Sequence, residues 1–80
     1  MTEYKTKDFY LASLLLCEGF NLIGSEQRTE NTVFFVFEND NDEKLNQLLT
    51  EFINKTVMVN LKSFTWSLSL IRNELSKYKR

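Results

Sequence analysis

The stretch Thr32 to Glu38, T-V-F-F-V-F-E, constrains this chain more than any other. Read as a strand, it places Val33, Phe35 and Phe37 on one face and Phe34 and Val36 on the other. Both faces are apolar, so both need a cover. A small sheet can roof one face with the helices of its own chain. The sequence predicts that the other face needs a further helix or a second subunit.

The chain has 80 residues, which predicts a single domain over 1–80. Seven Phe, three Tyr and one Trp can fill a core or leave an adhesive patch outside it. With 42% apolar and 26% charged residues, the composition is that of a folded domain and not of a disordered tail.

The remaining segments follow from capping and periodicity. Residues 1–7 are polar and read as extended, with Tyr4 able to join a short edge strand. Thr6 or Asp8 can cap a helix over Asp8–Glu18, whose apolar surface is broad enough to predict burial. Gly19 suits the left-handed position just past its end. Phe20 to Gln27 reads as a strand in which Gly24 marks a bulge or a close backbone approach. Arg28–Asn31 then turns into the Phe-rich strand, giving a β-hairpin.

After the polar linker Asn39–Asp42, Asp40 and Glu43 have the spacing of a capping box. A second helix runs to about Asn54 with an apolar stripe of Leu45, Leu48, Leu49, Phe52 and Ile53. Lys55–Asn60 forms a connector in which Val57 and Val59 alternate with Met58, as a short strand or an extended plug. Asn60 caps a third helix to about Tyr78. Its stripe is Leu61, Phe64, Leu68, Ile71, Leu75 and Tyr78, with Trp66 and Leu70 forming a second strip one turn apart. The fold class expected is α+β: a small antiparallel β-hairpin sheet packed against three helices, in the order (β)-α-β-β-α-α.

Chemistry is sparse. The sequence has no histidine, so neither a histidine-based triad nor a histidine metal ligand can form. Its two glycines, Gly19 and Gly24, lie in no phosphate-loop pattern. Asp40, Asp42 and Glu43 carry hard oxygens, but a calcium loop counted from Asp40 has Leu45 where the glycine belongs. The one cysteine, Cys17, lies in an apolar run and reads as a small hydrophobe. A single cysteine, the absence of a leader-like apolar segment at the N-terminus and short apolar runs predict a cytoplasmic protein. Neither an enzyme nor a cofactor is expected.

Binding is the class that remains. Surplus apolar surface at Phe34, Val36, Trp66 and Leu70 predicts a protein interface, most simply a two-fold homodimer. The alternative is nucleic acid. The formal net charge is -1, yet residues 61–80 carry five basic residues against one acid. Lys62, Arg72, Lys77, Lys79 and Arg80 are the candidate phosphate contacts. The second and third helices could pass for a helix-turn-helix, but their connector is long and the second helix is acidic.

The segments Tyr4–Ala12, Gly19–Phe20, Val33–Glu38 and Val59–Asn60 together resemble an uncharacterised family of short prokaryotic and phage proteins, known as a domain of unknown function. The resemblance covers roughly residues 4–78. It implies a compact standalone domain from a phage or mobile-element setting, of a size common among regulators that bind a host macromolecule. It brings no catalytic residue.

Overall fold

The Phe-rich segment forms the central strand of a three-stranded antiparallel sheet in a computed structural model that describes residues 2–78. The elements in order are β1 (Thr2–Thr6), α1 (Phe9–Cys17), β2 (Asn21–Thr29), β3 (Thr32–Asn39), α2 (Asp42–Asn54) and α3 (Leu61–Leu75), then a 3₁₀ turn at Ser76–Tyr78. The fold is thus α+β with a β-α-β-β-α-α order. The polar N-terminal segment is a strand, and strand order β1-β3-β2 puts β3 between two partners. Tyr4 pairs with Phe37 and Thr6 with Phe35 on one side, while Ser25 pairs with Phe35 on the other.

Two local details differ from the sequence expectation. The hairpin turn is Glu30–Asn31 alone, because β2 continues to Thr29 opposite Thr32. The cap of α2 is Asn41 and not Asp40: the Asn41 side chain accepts from the Lys44 backbone N–H at 3.0 Å. Asn39 fixes that geometry by accepting from the Asn41 N–H at 3.2 Å.

The start of α1 is capped by Asp8, whose Oδ1 accepts from Tyr10 and Leu11 N–H groups, each at 2.9 Å. Its end is a Schellman closure: Phe20 N–H donates to Leu15 and Gly19 N–H to Leu16. Gly19 has φ +96 there, as expected of the glycine. The register shift between Leu22 and Gly24 is the bulge, and Ile23 is its exposed extra residue. At the end of α2, Lys55 takes the same left-handed position with φ 60, a conformation the sequence does not announce.

The core lies between the sheet and the helices. Phe35 and Phe37 meet Leu11, Leu14 and Leu15 of α1, Leu45 and Leu48 of α2, and Ile71 of α3. Helix α1 is therefore buried along five consecutive residues, Leu11–Leu15. Small side chains at Ala12, Ser13 and Ser67 are buried where α1 and α3 approach each other. Val57 and Val59 pack against this core without forming a strand, while Met58 between them is exposed.

The apolar stripes of the two long helices are shorter than their sequence pattern. Ile53 is 74% exposed in the last turn of α2, and Leu61 is 79% exposed in the first turn of α3. Each sits at a helix end, where the sheet and α1 no longer lie underneath. Helix α3 also stops at Leu75, so Tyr78 belongs to the 3₁₀ turn and not to the stripe.

The opposite face of the sheet is covered from within the chain. Lys5 of β1 lies beside Val36, and Glu26 of β2 lies beside Phe34. The two charged side chains meet at 3.1 Å, bridging the outer strands across β3. Arg28 adds a second contact to Glu26 at 3.3 Å and lies 4.9 Å from the centre of the Phe34 ring. The aliphatic stems of such residues cover apolar surface while their heads stay in water. Val36 is left only 5% exposed. Within the chain, charged side chains of β1 and β2 lie over this face instead of a further helix, and Phe34 stays part-exposed beneath them.

Chemical denaturation of two variants will separate the faces. Phe35→Ala removes a buried ring and should cost about 3–5 kcal/mol; Phe34→Ala, half-buried under Arg28, should cost about 1–1.5 kcal/mol. Lys55→Gly relieves the left-handed strain at the end of α2 and should stabilise the fold by up to about 1 kcal/mol.

Candidate functional site

The four residues predicted as an interface do not form one patch. Phe34 and Val36 lie on the outer face of the sheet, under Arg28 and Lys5. Trp66 and Leu70 lie on α3, in the helical layer on the other side. Trp66 is 66% exposed, and Leu70 sits one turn further along the same helix.

A surface groove of about 980 Å³ opens beside Trp66. One wall is the end of α1, with Leu16 and Cys17; the other is the first half of α3, with Leu61, Lys62 and Trp66. The groove exists because α1 is short. It ends at Cys17, while α3 extends beyond it towards Asn60 and leaves Leu61, Lys62, Thr65 and Trp66 exposed. Asn60 fixes the start of α3 by accepting from the Ser63 N–H at 3.0 Å. The floor includes Ser67, which is buried against α1.

Cys17 has a thiol pKa raised by burial and by the neighbouring Glu18 charge, against the effect of a hydrogen bond with Ser67. At neutral pH it is a protonated, weakly nucleophilic group. Lys62 is the charged side chain of the groove lining.

Of the predicted basic residues, the described Lys62, Arg72 and Lys77 do not form one cluster. Lys62 and Arg72 are ten residues apart on one helix, hence roughly 15 Å along its axis. Arg72 lies over the Phe9 ring at 6.0 Å. Lys77 donates to Glu74 at 2.9 Å, so its charge is met within the chain. Lys79 and Arg80 lie outside the described residues.

The acidic linker is occupied with structure: Asp42 accepts from the Asn39 side-chain amide at 2.7 Å, next to the Asn41 cap. Among the described residues, no group of three or more acidic, cysteine or histidine side chains is arranged to hold a metal ion. No helix among them is long and apolar enough to cross a membrane.

Sequence reasoning missed Leu61 and Leu16 as groove residues, because both fall on apolar helix stripes and read as core. Position within the helix was the available signal for Leu61: a side chain in the first turn has one neighbour less beneath it.

The family model that matches is described as a domain of unknown function, DUF5659, and it covers residues 1–77. The chain belongs to the DUF5659 family. The match takes in all six major elements, so the sheet, the three helices and the groove all lie within the DUF5659 domain. No curated protein and no solved structure matches the chain.

The protonated state of Cys17 has a kinetic consequence. Alkylation of the native DUF5659 domain at pH 7 should run slower than that of a free cysteine, and should accelerate only as the pH passes the ordinary thiol value of about 8.5. Mass spectrometry of timed aliquots across pH 6.5 to 9.5 reads this directly.

Proposed function

We propose that the protein is a non-enzymatic binding module that works through protein contacts, as a homodimer and as an accessory factor of phage or mobile-element type. The observation that carries the reading is the groove on α3: Leu61 and Trp66 stand exposed at its rim beside Leu16 and Cys17 of α1. Large apolar side chains gathered at a concave surface are the usual anchors of a protein interface. The sheet face contributes less, because Val36 is covered by the chain's own charged side chains. The absence of histidine from the sequence supports the non-enzymatic part, and among the described residues no group of acidic or cysteine side chains is arranged to hold a metal ion.

Nucleic-acid binding through the basic end of α3 has less behind it. Lys77 is paired with Glu74, Arg72 rests on Phe9, and Lys62 lies at the far end of the helix.

Light scattering coupled to size exclusion tests both readings. Wild-type protein should show a dimer mass across a concentration series and at two salt concentrations. A Leu61→Ser, Trp66→Ser double variant should be monomeric and still unfold cooperatively, with a melting temperature that no longer depends on concentration. Monomeric wild type to high micromolar removes the dimer. A mass shift with mixed oligonucleotides at low salt only would transfer the reading to the basic side chains.

A further inference from the structure

At the corner where α3 ends, four polar side chains join the helical layer to the edge of the sheet. Glu74 Oε2 accepts from the Ser25 hydroxyl at 2.5 Å and from the Lys77 ammonium at 2.9 Å. The Ser25 oxygen also lies 2.7 Å from the Tyr78 hydroxyl. Hydrogen-bond bookkeeping fixes the direction of this chain. Ser25 has one proton and gives it to the carboxylate, so Tyr78 must donate to Ser25. Every donor therefore leads to one carboxylate oxygen: Tyr78 to Ser25, Ser25 to Glu74, and Lys77 to Glu74.

The turn Ser76–Tyr78 otherwise continues α3, with the Ser76 N–H donating to the Arg72 and Glu74 carbonyls. None of its residues is buried, and its helical span is a single 3₁₀ turn. Ser76 caps back onto Asn73, within α3 itself. Tyr78 reaches across to Ser25 of β2.

We propose that Ser76–Tyr78 is a strap seated on β2 by the charge of Glu74, so that neutralising this one carboxylate releases this turn while the core stays folded. A carboxylate strengthens each bond it accepts, roughly twofold over a neutral acceptor. A neutral Glu74 no longer attracts Lys77 and no longer commits the Ser25 proton. Tyr78 then loses the fixed acceptor orientation that holds it.

The groups around the carboxylate are few in kind. Lys77 supplies the charge from the 3₁₀ turn, Ser25 is the neutral donor from β2, and Tyr78 is a phenol. Lys7, from the connector between β1 and α1, lines the hollow beside Leu75. Burial works to raise the Glu74 pKa, but the Ser25 hydrogen bond and Lys77 outweigh it and hold the carboxyl below its ordinary value. A depressed carboxylate contributes stability that is present above the unfolded value, about 4.3, and is lost as pH falls through the folded value. The strap is thus seated at neutral pH and freed under acid.

Backbone ¹⁵N relaxation of the full chain tests this. At pH 7, residues 76–78 should show order parameters close to those of α3, about 0.85. Glu74→Gln at the same pH should drop them below about 0.6, with Phe35 and Phe37 unchanged. Wild type should reach the same low values on acidification, following the Glu74 carboxyl signal, before the core signals shift. Two outcomes overturn the proposal: a Glu74→Gln turn as rigid as wild type at pH 7, or a wild-type turn that loosens only together with Phe35 and Phe37.

Discussion

Burial of both faces of one short strand is the constraint on which the structure depends. Phe35 and Phe37 point into the helices, and α1, α2 and α3 all converge on them. Phe34 and Val36 point the other way, where no helix lies. A strand with this pattern fits only at the centre of its sheet, because each neighbour must supply cover as well as hydrogen bonds. The antiparallel partners β1 and β2 do both. Their backbones complete the ladder of β3, and their Lys5, Glu26 and Arg28 side chains lie over its outer residues.

The same economy shapes the helical layer. Helix α1 is nine residues long and is buried along its middle, so it uses nearly all of its surface to build the core. Helix α3 is fifteen residues long and cannot be covered by so short a neighbour. Its middle packs through Ser67 and Ile71, and its C-terminal end is tied to β2 by Ser25, Glu74 and Tyr78. In its first turns Leu61 and Trp66 are left exposed at the groove. The length mismatch between two packed helices thus creates the apolar surface on which the proposed contact function rests.

Much of this was legible in the sequence. Periodicity located all three helices, and Asp8, Gly19 and Asn60 marked their ends, because a cap needs a particular side chain at a particular backbone position. Gly24 also marked the bulge beside it, whose extra residue is Ile23. The α2 cap was misplaced by one residue because Asn39, Asp40, Asn41 and Asp42 all have capping chemistry, and only the hydrogen bond from Lys44 selects Asn41. Lys55 carried no signal at all: a left-handed lysine is imposed by the helix end it closes.

The sequence by itself determined the elements, their order and the α+β class, since these follow from local periodicity and local hydrogen bonding. Tertiary structure alone decided what covers what. Whether Val36 is interface or interior depended on strand order, which brought Lys5 and Glu26 together from opposite edges across 21 positions of chain. Whether Leu61 is core or groove depended on where α1 ends beside α3. Ser25 and Glu74, 49 positions apart, had no reason to be linked until the two layers met. Periodicity records which side chains prefer to be covered, and only the packing of distant segments supplies the cover.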